Sequence, residues 1–241
     1  MTSTETITDA IFFNALLDFS PERRLTGVRR AAIMSEESAV DSSTTDFEQL
    51  FLEHYPRLVR IVDWRHTDVF FGDERAVPPD DAQSNYRMAR ETLLAPAHVP
   101  DANVFRWRAE SADLDAAARD YERELRARPT APRLDLALLG LGPDGHTASL
   151  FPGTAALGVE DRLAVANDVP QLGTRRLTLT YPVFREAGEV FFLVTGRDKH
   201  AALADVVRPG STLPAARIIQ RTRSTCIFCD RDAAQDIKPS P

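Results

Sequence analysis

The chain has 241 residues, 43% of them hydrophobic and 27% charged, with a net charge of −7. That is the balance of a soluble globular protein, read as one large α/β domain that buries on the order of three quarters of its extended surface. The acidic balance excludes non-specific nucleic-acid binding, and no apolar stretch reaches the roughly 20 residues that cross a bilayer. Two cysteines, and an N-terminus MTSTETITDA without a basic region followed by an apolar one, fit a reducing cytoplasm. Lysine occurs only at Lys199 and Lys238, with arginine supplying every other strong cation.

In chain order, Ile11–Leu17 reads as the opening of an amphipathic helix, and residues 35–46 as a polar, turn-like stretch. Phe47–Val62 has helical spacing at Phe47, Leu50, Phe51 and Leu58, with Asp46 as N-cap and Pro56 as a break. Thr67–Phe71 is a strand ending at Gly72, before the charged trio Asp73-Glu74-Arg75. Ser84 caps a helix from Asn85 to about Leu94, and a second helix covers about Ala112 to Arg128. Leu134–Leu139 is a buried strand that runs into Gly140, Gly142, Pro143 and Gly145, delivering Asp144 and His146 in a tight loop. Further strands are expected at Leu163–Ala166, Arg176–Thr180 (closed by Tyr181-Pro182), Glu189–Thr195 and Thr225–Phe228, and helices at His200–Val207 and Asp230–Ile237. Strands alternating with helices predict an α/β fold: a mostly parallel open sheet, Rossmann-like, with helices on both faces.

In such a sheet, ligands sit outside the carboxyl ends of the strands. The loops Gly72–Arg75, Gly142–His146 and Gly196–Lys199 would therefore share one edge. Arg75 can fork onto a phosphate, and Lys199 can act as a point charge in the first turn of its helix. Histidine is the side chain suited to take a proton from water near neutral pH, which is the role His146 can fill with Asp144 orienting it. The bland alternatives stand beside these: a solvated loop histidine, a charged turn at Asp73-Glu74-Arg75, a surface lysine. Flanking Gly142 and Gly145 and the preceding strand favour the catalytic reading of His146. Cys226 and Cys229 read as two ordinary thiols, since two cysteines cannot fill a zinc site. The chain has no G-x-G-x-x-G, Walker A, H-E-x-x-H or G-x-S-x-G pattern, so hydride transfer, nucleotide hydrolysis and serine-hydrolase chemistry have no positive support.

Four segments carry a family resemblance: residues 70–94 (FFGDERAVPPDDAQSNYRMARETLL), 136–154 (LALLGLGPDGHTASLFPGT), 175–184 (RRLTLTYPVF) and 190–203 (VFFLVTGRDKHAAL). They resemble the 6-phosphogluconolactonases, over about Asp63 to Ile237. The related glucosamine-6-phosphate deaminases share the Asp144-Gly145-His146 pattern. They carry different residues where this chain has Gly72-Asp73-Glu74-Arg75 and Ser149-Leu150-Phe151-Pro152. The resemblance implies hydrolysis of 6-phospho-D-glucono-1,5-lactone to 6-phosphogluconate, in the oxidative pentose phosphate pathway, without metal or cofactor. It implies His146 as general base, Asp144 as its support, and Arg75 and Lys199 at the 6-phosphate. Asp73, Glu74, Gly142 and Gly145 would line the substrate, with backbone N–H groups of the glycine-rich loop polarising the carbonyl. A cytoplasmic monomer acting on a sugar-phosphate lactone is the expected biology; the alternative is a catalytically weakened sugar-phosphate binder.

Residues 1–62 depart from this pattern and are set apart from a lactonase-like domain at 63–241. Where the family has a strand followed by a glycine-rich phosphate loop, this chain has Asp41-Ser42-Ser43-Thr44-Thr45-Asp46, after a brief Ala31–Met34. Ser42, Ser43 and Thr44 keep the hydroxyls, while Asp41 and Asp46 add negative charge. Phe47–Val62 is similar to the opening helix of extracytoplasmic-function sigma factors, a short likeness that chance, a fusion or a shifted reading frame would each account for. No basic DNA-reading helix follows it.

Overall fold

The structure, a computed structural model, describes residues 15–19 as backbone, 67–128, 133–235 and 237. Ser42, Ser43, Thr44, the turn-like stretch 35–46, Ala31–Met34 and the helix expected at Phe47–Val62 lie outside the described residues.

Two sheets organise the described chain. The larger contains strands β1 (Ala15–Phe19), β2 (Thr67–Phe71), β4 (Val104–Phe105), β5 (Leu136–Gly140), β8 (Glu189–Val194) and β9 (Thr225–Cys229), in the order β4-β2-β1-β5-β8-β9. Pairs β2–β4, β5–β8 and β8–β9 are parallel. The smaller is antiparallel, β3 (Asp73–Arg75), β7 (Thr174–Leu179) and β6 (Ala164–Val169). Helices α1 (Asn85–Ala89), α2 (Leu114–Arg126), α3 (Tyr181–Glu186), α4 (His200–Val206) and α5 (Pro214–Arg221) connect them.

Val69, Phe70 and Phe71 are all fully buried, as are Ala137 and Leu139. Successive strand residues point to opposite faces, so burial of neighbours means cover on both faces of the sheet. The end of β2 is clamped. Trp107 stacks on Tyr121 with centroids 3.7 Å apart, and its Nε1 donates to the Phe71 carbonyl at 2.9 Å. The Tyr121 hydroxyl accepts from the Phe71 N–H at 2.6 Å and lies 3.0 Å from the carbonyls of Phe71 and Phe105. Burial pushes the Tyr121 phenol well above its ordinary pKa.

Four local expectations are corrected. Residues 15–17, expected in a helix, belong to β1, which is antiparallel to both β2 and β5. The trio Asp73-Glu74-Arg75 is a strand, not a loop, because it pairs with Arg176–Thr178. Tyr181-Pro182 starts a helix rather than closing a strand, and Pro214 starts α5, a helix the sequence reading missed; proline suits the first helical turn, where its missing N–H costs nothing. The expected terminal helix is a turn over residues 231–235, held by the Asp230 carboxylate accepting from the Ala233 N–H at 2.7 Å.

Candidate active site

Register fixes which loops share an edge. Ala15 of β1 faces Phe71 on one side and Leu138 on the other. β1 is antiparallel to both neighbours, so β2 and β5 run the same way and end together. β8 is parallel to β5, with Gly140 opposite Leu193. The segments following Phe71, Gly140 and Val194 thus leave from one edge, the carboxyl edge, as the sequence pattern predicts.

The loop after β5 is built around two glycines. The Gly145 N–H donates to the Gly142 carbonyl at 3.0 Å, closing a turn with Pro143 in its first central position. The Gly142 N–H donates to the His146 carbonyl at 2.8 Å. A Cβ on Gly142 would lie 2.0 Å from His146 Nδ1, so the imidazole occupies the space a side chain would need. Gly145 has φ +79°, and a Cβ there would meet Leu213 at 2.7 Å. The Gly145 carbonyl accepts from the Ala215 N–H at 3.1 Å, fastening the loop to the start of α5.

His146 Nδ1 lies 2.5 Å from Asp144 Oδ1, which also accepts from the His146 N–H at 3.1 Å. Burial pushes the Asp144 carboxyl up, but the hydrogen bond and charge of the His146 ring, and its backbone N–H, leave it below its ordinary range. An ionised carboxylate only accepts, so Nδ1 carries the proton. In the neutral ring Nε2 then holds a lone pair, the arrangement a general base requires. The ring also stacks on Phe151, and a quarter of the His146 side chain stays exposed.

The trio after β2 divides its work. Glu74 is buried, and its carboxylate accepts from the backbone N–H groups of Arg75 (2.8 Å), Asn85 (2.7 Å) and Tyr86 (2.9 Å) and from Ser84 Oγ (3.1 Å). It satisfies donors at the start of α1, where Ser84 Oγ also caps Arg87 N–H. Burial raises the Glu74 pKa, the three N–H donors lower it, and Asp73 raises it, for a net upward shift. Asp73 is buried and accepts from Ser149 Oγ at 2.7 Å. Both were expected against the substrate. Their oxygens instead face inward, because the first turn of α1 and the His146 loop supply the donors. Arg75 is half-buried, its Nη1 donating to the Gln83 carbonyl at 3.0 Å and to Asn85 Oδ1. Lys199 lies in a single 3-10 turn before α4 rather than inside it, with its side chain buried and Nζ 3.1 Å from Asp198 Oδ2. The N–H groups of Gly142, Gly145 and His146 are all engaged within the loop, so they are not the polarising donors the resemblance suggested.

The sequence reading missed Phe151, Leu213, Asn85 and Ser149. The last had a visible signal: a small polar residue inside the apolar run Ala148–Phe151. Among the described residues, no group of three His, Cys, Asp or Glu side chains is arranged to hold a metal ion, and no helix is long and apolar enough to cross a membrane.

Comparison with known proteins follows the same line. The family model described as glucosamine-6-phosphate isomerases/6-phosphogluconolactonase matches residues 44–228. A 6-phosphogluconolactonase of Synechocystis is 40% identical over 183 residues, 73% of this chain and 75% of that one. One of Mycobacterium tuberculosis is 36% identical over 224 residues, 88% of this chain and 90% of that one. The crystal structure of 6-phosphogluconolactonase from Leishmania guyanensis superposes with a TM-score of 0.66 at 30% identity, covering 83% of this chain and 86% of that one. The fold, the carboxyl-edge loops and these likenesses agree, and the chain belongs to the glucosamine-6-phosphate isomerase/6-phosphogluconolactonase family.

Proposed function

We propose that this protein hydrolyses 6-phospho-D-glucono-1,5-lactone to 6-phosphogluconate, the lactone-opening step of the oxidative pentose phosphate pathway. The observation that carries the proposal is the Asp144–His146 pair, with Nδ1 on the carboxylate and Nε2 left as base, at the sheet edge shared with Arg75 and Lys199. His146 Nε2 takes a proton from a water molecule whose oxygen attacks the lactone carbonyl carbon. Collapse of the tetrahedral intermediate breaks the bond to the ring oxygen, and that oxygen takes the proton back from His146. One carboxylic acid and one hydroxyl result, and the acid gives its proton to solvent to become the carboxylate. A δ-lactone already hydrolyses slowly in water, so positioning and one general base are sufficient catalysis.

Arg75 and Lys199 hold the 6-phosphate, joined by the hydroxyls of Ser42, Ser43 and Thr44. Support for an anion at Arg75 comes from the β3–β7 ladder, where it pairs directly with Arg176. Like charges opposite each other on a ladder repel, so an anion nearby is favourable there. Gly142 and Gly145 contribute by leaving room, and Asp73 and Glu74 by holding Arg75 and the His146 loop in place. The enzyme works as a cytoplasmic monomer. Free Cys226 and Cys229, whose thiols burial pushes up, suit a reducing compartment. Among the described residues the exposed large apolar side chains, Leu172, Val207 and Phe228, lie at separate places along the chain.

The test is a coupled assay of the full-length chain, reading 6-phosphogluconate through its dehydrogenase. Lactone loss should exceed spontaneous hydrolysis, and His146→Ala should lower kcat by about 100-fold or more. Binding of 6-phosphogluconate without turnover would show a sugar-phosphate binder instead.

A further inference from the structure

A row of hydrogen bonds, buried except at its Arg75 end, joins Arg75 to the loop that carries His146. Arg75 Nη1 donates to Asn85 Oδ1. Asn85 Nδ2 donates to the Asp73 carbonyl at 3.0 Å and to Asp73 Oδ1 at 3.3 Å. Asp73 Oδ2 accepts from Ser149 Oγ at 2.7 Å. Ser149 is three residues beyond His146 and 0% exposed; Asp73 and Asn85 are each 4% exposed. The backbone of Ser149 is held as well, its N–H donating to Thr178 Oγ1 at 3.2 Å and its carbonyl accepting from Asn167 Nδ2 at 2.9 Å.

Two features make this more than general packing. The residue between the loop and Ser149, apart from Thr147, is Ala148, whose φ is +48°. A side chain with a Cβ keeps such a conformation only where its surroundings over-determine it. The bonds on both sides of Ser149, with Thr147 Oγ1 donating to the Gly140 carbonyl at 2.7 Å, supply that constraint. The row is also directional. The Asn85 amide must turn its oxygen to the guanidinium and its nitrogen to the carboxylate, so neither partner can shift without the amide following.

We propose that Asn85, Asp73 and Ser149 form a positioning relay that couples occupancy of Arg75 by the substrate's phosphate to the placement of His146. The proposal rests on the reading of Arg75 as a phosphate ligand. The relay residues touch no reacting atom. They let binding at the remote phosphate serve the chemical step, raising kcat rather than only tightening binding.

Ser149→Ala in the full-length enzyme should lower kcat about tenfold, through a misplaced imidazole. KM for the phosphorylated lactone should stay within about twofold, since no ground-state contact is removed. Arg75→Lys loses the guanidinium bond to Asn85 Oδ1. Combined with Ser149→Ala, it should cost less than the product of the two single effects, because both cut one relay. A KM that rises as kcat falls, or strictly multiplicative effects, would overturn the relay. Asp73→Asn keeps an acceptor for Asn85 and can donate to Ser149 Oγ. It should retain more kcat than Ser149→Ala, and the reverse order counts against the proposal.

A readout independent of turnover is amide hydrogen exchange with inorganic phosphate as the probe. Phosphate should slow exchange across residues 142–150 in the wild type and in Asp73→Asn, but not in Ser149→Ala. Slowing that is absent from the wild type, or equal in all three, rejects the relay. If the wild type hydrolyses no lactone yet shows slowing that requires Ser149, the relay stands and the lactonase assignment falls.

Discussion

The His146 imidazole stacks on the Phe151 ring with centroids 4.0 Å apart and planes inclined by 25°. Phe151 is 4% exposed, so the stack is a fixed wall rather than a passing contact. It limits the ring to rotation about its own plane, and the Asp144 hydrogen bond removes that freedom too. Phe151→Leu keeps most of the apolar volume and deletes the flat surface. We expect kcat to fall about tenfold with a stability loss near 1 kcal/mol. Steady-state kinetics beside a urea titration separates the two, and an unchanged kcat would show the stack to be incidental.

Gly142 has a sharper requirement. A methyl group there would lie 2.0 Å from His146 Nδ1, far inside contact distance. The ring must leave Asp144 or the loop must distort. Gly142→Ala should therefore lose about 100-fold in kcat while unfolding at nearly the wild-type denaturant midpoint. A crystal structure of the variant with His146 unmoved would contradict the argument.

Asp144 carries a pH signature. Burial raises its pKa and His146 lowers it by more, so the folded value lies below the unfolded one. A depressed carboxylate contributes stability that is present above the unfolded pKa, about 4. That contribution is lost as pH falls through the folded value. The stability gap between wild type and Asp144→Asn should thus be full at pH 7 and shrink on acidification below about pH 4. Urea unfolding at several pH values measures it, and a gap that widens in acid would reverse the sign of the argument.

Tyr121 tests the scaffold rather than the chemistry. Its hydroxyl accepts from the Phe71 N–H in a fully buried setting, where water cannot replace it. Tyr121→Phe should cost about 1–3 kcal/mol in thermal or denaturant unfolding. Because Phe71 sets the start of β3, a modest rise in KM should accompany it; wild-type stability would mean the N–H has found another partner.

Which parts of this fold were legible follows from how local their causes are. The His146 loop was readable because a strand, two glycines and a proline dictate a turn through neighbouring residues alone. Ser84 as N-cap was readable for the same reason, and its Oγ does accept from Arg87 N–H at 3.2 Å. Ala15–Phe19 was not, since a short apolar run fits helix or strand and its register comes from β2 and β5, 48 to 56 and 119 to 123 positions onward. The inward turn of Asp73 and Glu74 was equally hidden. Charged residues are read as solvated by default, and the donors that bury these two come from α1 and from Ser149, 76 residues away.

The fastening of Gly145 to the start of α5, together with the ties of Ser149 to the smaller sheet, has a thermal consequence. The loop is bound on its two flanks to different layers of the molecule. It has no hinge on which to melt by itself, unlike a surface loop that opens at little cost. Heat inactivation and global unfolding should then be a single event, with catalysis persisting until the two layers separate.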